Sequence, residues 1–305
     1  MTTAISIVIP VLNRATLIGR AIESVLGESA DGDEIIVIDG GSTDGTRDIA
    51  RSFSGVCLVE APGSSMWEAV NIGISRAKGA VIGHLNSDDR LCAGALSAIR
   101  AAEAQAPAAA IIRGRARFAA PNGSGGFKPL PALEATVAER LDLRALVVGP
   151  TVNNACFVRP DTYQRLGRYD ESLKISADRE WLLRAVLADT LVHQINCPLY
   201  EYLVHDSSMT MTPTLPDRRI YVAYIHEHLA IAERYLPGTT GRTRRILRAW
   251  HAQETLRLIS CGWSTPGFTA QIAHAFELSP AWPLWSIGPL ADLVNRRWRR
   301  GRMFG

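Results

Sequence analysis

The chain has 305 residues, of which 47% are hydrophobic and 21% charged, with a formal net charge of +3. This composition predicts a globular protein with a full core and disfavours a general nucleic-acid binder. The five cysteines form no C-x-x-C pair, which indicates buried thiols in a reducing, cytoplasmic compartment rather than a disulfide or zinc framework. No segment approaches the ~20 apolar residues that span a bilayer.

Short apolar strands alternate with helical stretches over the first hundred residues. The predicted strands are 5–9, 34–38, 56–59 and 80–85, and the predicted helices are 15–26, 44–53 and 65–77. The strands show no strong polar alternation, so we expect both of their faces to be covered. The repeated alternation predicts an α/β fold with a mostly parallel, Rossmann-like sheet flanked by helices.

Polar residues follow three of these predicted strands. They are Asn13 and Arg14 after the first, the segment 39–45 after the second, and the segment 86–89 after the fourth. The carboxyl ends of parallel strands meet at one edge, where α/β folds bind ligands, so these groups are expected to converge. The segment 39–45 matches neither a Walker loop nor a dinucleotide fingerprint, which disfavours an NTPase or an NAD enzyme.

Two adjacent carboxylates, Asp88 and Asp89, end the fourth predicted strand. Adjacent acids repel each other, so such a pair usually stays in water, caps a helix or holds a cation. One interpretation is a cap for a helix predicted from Leu91 to Glu103. The other is a cation site at the edge of the sheet, and the pair by itself leaves both open.

Four motifs in the first hundred residues belong together. They are SIVIPVLNR at residues 6–14, EIIVIDGGSTDGT at 34–46, MWEAVNIGI at 66–74 and LNSDD at 85–89. In combination they resemble the family 2 glycosyltransferases, and the resemblance covers roughly the first two thirds of the chain. It implies the GT-A fold and a nucleotide-sugar donor, with UDP the expected nucleotide, whose two phosphates are bridged by a divalent metal.

The resemblance also implies which residues contact the donor. The expected nucleotide-sugar contacts are Pro10, Asn13, Asp39, Asn71, Asn86 and Ser87. Asn86 stands where the family has the first acid of its D-x-D motif, so it can bond a ribose hydroxyl but brings no charge to the metal.

Metal ligands follow from the same resemblance. Asp88 takes the place of the metal-binding acid, Asp89 is a possible supplement, and His205 matches a histidine that supplies an imidazole to the metal. By itself, a histidine at a strand end is more often a surface or hydrogen-bonded residue. Carboxylate and imidazole ligands suit Mn²⁺ or Mg²⁺, and the imidazole favours Mn²⁺.

The catalytic base and the acceptor contacts lie in the second hundred residues. Asp178 matches the aspartate of the family's E-D motif, with Ala177 in place of the preceding acid, and Glu180 is the alternative base. By position alone Asp178 reads equally well as a helix cap. Asn153 and Asn154 are the expected acceptor contacts, although two asparagines in a loop also favour turns.

From residue 212 the resemblance stops, and we predict a catalytic domain at 1–211 and a helical region at 212–305. The predicted helices are 218–235, 242–261, 265–278 and 289–300. Trp282, Trp285 and Trp298 accompany a basic tail at 296–302. This mixture suits an interfacial helix on an anionic membrane, and a packed C-terminal helix or a homodimer contact explains it equally well.

These expectations describe a metal-dependent, inverting, hexosyltransferase-like enzyme. It moves a sugar to a hydroxyl of a saccharide or lipid-linked saccharide in cell-surface polysaccharide synthesis, in the cytoplasm or on the cytoplasmic face of the inner membrane. The alternative is a noncatalytic nucleotide-sugar-binding or assembly subunit, which the Asn86 and Ala177 changes suggest. Donor hydrolysis is a weaker third option.

Overall fold

The computed structural model of the chain describes residues 3–122, 126–131, 141–148, 154–206, 208 and 218–260. The chain divides into two compact units. The first comprises Met1–Leu141 and Pro150–Ser208, and the second comprises Asp142–Gly149 and Met209–Gly305. The predicted domain boundary at residues 211 and 212 stays a prediction, and the sequence did not indicate that Asp142–Gly149 groups with the second unit.

The first unit is built on a sheet of nine described strands. They are β1 (Ile5–Val11), β2 (Glu34–Asp39), β3 (Val56–Glu60), β4 (Val81–His84), β5 (Arg90–Leu91), β6 (Ile111–Pro121), β7 (Phe127–Pro129), β8 (Cys156–Val158) and β9 (Val192–Leu203). Their order is β3-β2-β1-β4-β8-β6-β9-β5, with β7 paired to β6. Strands β1 to β4 are parallel, β8 is antiparallel to β4 and β6, and β9 runs parallel to β6.

The parallel block forms where the apolar runs predicted it. All seven residues of β1 are buried, as expected for a strand covered on both faces. A helix packs closely on this block, because a Cβ on its Gly73 would lie 2.2 Å from Cγ1 of Val8. Only glycine permits this approach, so the helix that follows β3 is held tightly against β1.

Six described helices accompany the sheet. They are α1 (Ile18–Leu26), α2 (Thr46–Ser52), α3 (Met66–Arg76), α4 (Ala95–Gln105), α6 (Pro160–Leu166) and α7 (Ala177–Leu187), while α5 (Leu143–Val148) is in the second unit. Ser65 and Glu68 form a capping box that fixes the start of α3 where the sequence predicted it.

The predicted helix-cap role of Asp88 or Asp89 is wrong. Helix α4 begins at Ala95, and its N-cap is Gly94, whose φ of 81° is the left-handed conformation that favours glycine. The short strand β5 lies between the two aspartates and this helix. Both carboxylates are therefore available for other roles at the edge of the sheet.

Strands β6 and β9 are the two longest strands of the sheet and pair in parallel. Their pairing shifts register on both sides of Arg115, opposite Pro198. Glycine and proline interrupt the apolar pattern near these residues. The strands continue past the interruption because the irregular pairing forms a bulge. As a result, β9 is long enough to pair with β5 as well as with β6, and it ends at the candidate functional site described below.

The second unit contains three described helices. They are α5 (Leu143–Val148), α8 (Arg218–Tyr235) and α9 (Gly241–Ser260), and α5 packs on α9. The predicted helices at 218–235 and 242–261 are confirmed to within one residue. Helices 265–278 and 289–300, the three tryptophans and the basic tail lie outside the described residues. Among the described residues, no helix combines the length and hydrophobicity needed to cross a membrane.

A buried carboxylate joins α8 to α9. Glu254 is fully buried, and its Oε1 lies 3.2 Å from Nδ1 of His228, 3.1 Å from Nε1 of Trp250 and 2.7 Å from a guanidinium nitrogen of Arg257. Burial by itself would raise the pKa of Glu254, but the charges and hydrogen bonds of Arg257 and His228 lower that pKa to about 2. The carboxylate is therefore ionised inside the helical pair.

We expect Glu254→Gln to lower the free energy of unfolding of this unit by about 3–5 kcal/mol, because it leaves buried cations without their counter-charge. The matched control is Glu233→Gln, which removes a 52% exposed carboxylate 3.1 Å from His251 on the same two helices and should cost about 0–1 kcal/mol. Urea unfolding monitored by circular dichroism measures both. Equal losses would contradict the role of the buried charge.

This contribution should also depend on pH. The pKa of Glu254 in the folded state lies below its ordinary value of 4.5, so its stabilisation is complete above about pH 4.5 and is lost as the pH falls towards 2.

Candidate functional site

The loops that follow β1 and β2 interlock at the carboxyl edge of the sheet. Asn13 has a φ of 52°, which turns the chain sharply after β1. Its backbone N–H donates to Oγ of Ser42 at 2.9 Å, and its Oδ1 accepts from the N–H of Thr43 at 2.9 Å. The predicted convergence of these two strand ends is therefore present, and the exposed Asn13 lies at its rim.

Asp39 and Pro10 lie inside this edge rather than on its surface. Asp39 is fully buried, and one of its oxygens accepts hydrogen bonds from the backbone N–H groups of Gly41 and Ser42 at 3.1 and 3.0 Å. Pro10 is buried within β1, opposite Ile38 in the register. The geometry gives Asp39 a role in shaping the loop, and its contact with a nucleotide stays a prediction.

Asp88 faces two cationic or metal-binding side chains. Its Oδ2 lies 3.3 Å from Nε2 of His205 and 3.9 Å from Nε of Arg14. Asp88 follows β4, His205 follows β9 and Arg14 follows β1, so three strand ends meet at one carboxylate. The sequence predicted Asp88 and His205 as metal ligands, and the structure brings these two side chains together.

The Asp88–His205 pair fits a divalent metal. Two ligands about 2.1 Å from an octahedral metal and adjacent in its coordination sphere lie roughly 3 Å apart, close to the observed 3.3 Å. Within the described residues no cluster of three or more His, Cys, Asp or Glu side chains is placed to hold a metal. A pair of protein ligands would leave further positions of a six-coordinate ion open to other groups.

The carboxylate of Asp89, the suggested supplementary ligand, is buried and hydrogen-bonded within the protein. Its Oδ2 accepts from the hydroxyl of Tyr200 at 2.6 Å and from Nδ2 of Asn86 at 2.9 Å, and its Oδ1 accepts from the N–H of Leu203 at 2.8 Å. Burial and the neighbouring Asp88 raise the pKa of Asp89 to about 7. These three bonds indicate a supporting role for Asp89, and its suggested metal contact stays a prediction.

Asn86 and Ser87 lie between the two aspartates and β4. The Oδ1 of Asn86 is buried and accepts no hydrogen bond from the described residues, while its Nδ2 donates to Asp89. A buried amide oxygen without a donor can accept from a ribose hydroxyl. Ser87 is 7% exposed. The predicted donor contact of Asn86 stays a prediction that this orphaned acceptor supports.

Asn71 fastens α3 to the segment before α7. Its Nδ2 donates to the carbonyl of Tyr169 at 2.9 Å and to Oε1 of Glu171 at 2.8 Å, and its Oδ1 accepts from the N–H of Tyr169. These bonds use both amide hydrogens. The geometry therefore indicates a positioning role, whereas the sequence predicted a direct nucleotide contact.

Asp178 and Glu180 have different surroundings in the first turn of α7. Asp178 is half-buried, whereas Glu180 is 2% exposed and accepts from the guanidinium of Arg184 at 2.9 and 3.1 Å. The N-cap of α7 is Ser176, so Asp178 is not the cap residue. This arrangement favours Asp178 over Glu180 as the group that takes a proton.

The charges of Asp178 and Asp89 act on a common neighbour. Burial, together with the carboxylates of Asp89 and Asp178, raises the pKa of Tyr202. Tyr202 is in β9, and its ring centroid lies 4.7 Å from that of Tyr200. The candidate base therefore lies near the strand that leads to His205.

Asn154 is 7% exposed, and its Nδ2 donates to the hydroxyl of Tyr200 at 3.3 Å. Asn153, the other predicted acceptor contact, lies outside the described residues. The acceptor role of both stays a prediction, and the structure shows Asn154 tied to β9.

The sequence placed Arg14 at the converging edge without giving it a role, and it missed Tyr200. Arg14 had a signal, since it follows Asn13 directly at a predicted strand end. Tyr200 had none, because it is one of several aromatic residues in a strand and reaches Asn86 across 114 positions of sequence.

Comparison with known proteins agrees with this geometry. Residues 6–127 match the model of glycosyl transferase family 2. Glycosyltransferase AglE of Haloferax volcanii is 28% identical over 215 residues, which cover 63% of this chain and 65% of that relative. The chain thus spans slightly less than two thirds of this relative.

Two solved structures share the fold. TarS 1-349 of S. aureus, in complex with UDP, superposes with a TM-score of 0.62 at 15% identity over 98% of this chain and 92% of that chain. Mannosyltransferase PcManGT of Pyrobaculum calidifontis, in complex with GDP-Man and Mn²⁺, gives 0.61 at 15% identity over 99% and 85%.

The fold is therefore that of the GT-A glycosyltransferases, as the motifs predicted. Residues 6–127 match the model of glycosyl transferase family 2, the family that the motifs predicted.

Proposed function

We propose that this protein is an inverting, metal-dependent glycosyltransferase. It transfers a hexose-like sugar from a nucleoside diphosphate, with UDP the preferred carrier, to a hydroxyl of a saccharide or lipid-linked saccharide. The observation that carries the proposal is the pairing of Asp88 with His205 at the carboxyl edge of the sheet. The match of residues 6–127 to the family model and the UDP-bound and Mn²⁺-bound structures of the same fold support it.

Asp88 and His205 would hold the divalent ion, Mn²⁺ or Mg²⁺, on the diphosphate side of the site. When bound, such an ion neutralises charge that develops on a departing diphosphate. Arg14 adds a guanidinium beside Asp88 and is placed to pair with a phosphate oxygen. The interlocked loops at Asn13 and Ser42 form the rim on which the nucleoside would rest.

Asp178 is the general base of the proposed reaction. It removes the proton from the acceptor hydroxyl as that oxygen attacks the anomeric carbon and the bond to the diphosphate breaks. A single base and a direct displacement invert the configuration at that carbon. The paired and buried Glu180 is poorly placed to accept this proton.

The decisive experiment incubates the full chain with a panel of UDP- and GDP-sugars, a saccharide acceptor and Mn²⁺. We expect release of the nucleoside diphosphate only when donor, acceptor and metal are all present, and an inverted anomer by NMR. Retention of configuration would reject the single-base mechanism.

Two other outcomes would point elsewhere. Donor binding without turnover across acceptors would identify a noncatalytic nucleotide-sugar-binding subunit, and release independent of acceptor would identify donor hydrolysis.

A further inference from the structure

The two candidate metal ligands come from strands that are not neighbours. Strands β8 and β6 lie between β4 and β9 in the sheet order. Among the described residues, backbone pairing connects the chain after Asp89 with β9 through the two-residue strand β5, at Arg90–Glu201 and Leu91–Tyr200, and through the N–H of Cys92, which donates to the carbonyl of Leu199 at 3.0 Å. A further interaction is therefore needed to hold Asp88 close to His205.

Asp89 supplies this connection beyond the end of the pairing. It adjoins Asp88, and its Oδ1 accepts from the N–H of Leu203, two residues before His205. Its Oδ2 accepts from the hydroxyl of Tyr200 on the same strand. The carboxylate therefore continues the β5–β9 ladder up to the metal-binding pair.

The hydroxyl of Tyr200 completes the network. It donates to Asp89 and accepts from the backbone N–H of Asn86 at 3.1 Å and from Nδ2 of Asn154 at 3.3 Å. A phenolic hydroxyl has one hydrogen to donate and accepts with its lone pairs, so this group is fully used. The side chain is fully buried, which makes the loss of a partner costly.

We propose that Tyr200 and Asp89 are positioning residues that set the separation of Asp88 and His205 and thereby the affinity of the site for a divalent metal. The inference rests on the proposed function, because it assumes that Asp88 and His205 are the ligands. Through Asn154 the same hydroxyl also connects the segment directly before β8 to the metal side of the site.

The test is Tyr200→Phe in the full chain, because this change keeps the ring and removes only the hydroxyl. Mn²⁺ binding without donor is measured by titration calorimetry or by the EPR signal of free Mn²⁺. We expect the dissociation constant to rise about 10- to 100-fold, the range found when partners of metal ligands are removed.

The matched control is Tyr163→Phe. Tyr163 is 6% exposed, and its hydroxyl bonds Tyr169 rather than Asp89. Both variants lose one buried hydroxyl, so we expect comparable shifts in melting temperature but a change in Mn²⁺ affinity for Tyr200→Phe alone. If Tyr200→Phe does not fold, Asp89→Asn is measured in the same way and is expected to raise the dissociation constant about 10-fold or more.

Unchanged Mn²⁺ affinity in the folded variant, or equal weakening in the control, would overturn the positioning role. A failure of the proposed function would give a different experimental result. In that case the wild-type chain itself would not bind Mn²⁺, or would transfer sugar fully in excess EDTA.

Discussion

Asp178→Asn is expected to reduce turnover by about 10²-fold or more while preserving the fold and donor affinity. The carboxylate lies half-buried in the first turn of α7, and its Oδ1 accepts from the N–H of Arg179 at 2.7 Å. An amide oxygen keeps this bond but takes up a proton poorly, so the loss should fall on the chemical step. Initial rates at saturating donor and metal, with donor affinity measured separately, give the result.

Glu180→Gln is the control, since it changes the same first turn of the helix. It removes the counter-charge of Arg184, so we expect a lower melting temperature and near-normal turnover in the folded protein. The assignment of the base would be reversed if this variant lost turnover while Asp178→Asn kept it.

Asp88→Asn is expected to abolish metal-dependent donor binding. It removes the anionic member of the Asp88–His205 pair, so the loss of Mn²⁺ affinity should exceed the about 10- to 100-fold that changes around a ligand cause. Donor titrations with Mn²⁺ and with EDTA measure the effect. The control is Asp48→Asn, which neutralises an 85% exposed acid on α2 and should leave both affinities unchanged.

Full transfer activity in excess EDTA would contradict the metal assignment. In that case Arg14, 3.9 Å from Asp88, would be a cation available to neutralise the diphosphate. Arg14→Ala would then abolish transfer, whereas a metal-dependent site should retain part of it.

The sequence by itself determined the parallel part of the fold. Strands β1 to β4 and helices α1 to α3 follow from apolar runs and from the capping box at Ser65, because these signals act between residues close in the chain. The meeting of Asn13, Asp39 and Asp88 at one edge followed from the parallel arrangement. The family motifs lie in the same part of the chain, so the resemblance to the family was recognisable without the structure.

Only the tertiary structure decided how the two adjacent acids differ. Asp88 faces Arg14 and His205, whereas Asp89 turns inward to Tyr200 and Leu203, 111 and 114 positions away in sequence. Residues of one chemical type at neighbouring positions carry no local signal for such a difference.

The same reason applies to Asn71, which reaches Tyr169 across 98 positions. Side-chain hydrogen bonds between distant segments depend on the register of the paired strands and on the bulges within them. Local periodicity does not encode that arrangement, so the meeting of Asp88 and His205 was predictable from motifs while the hydrogen bonds around it were not.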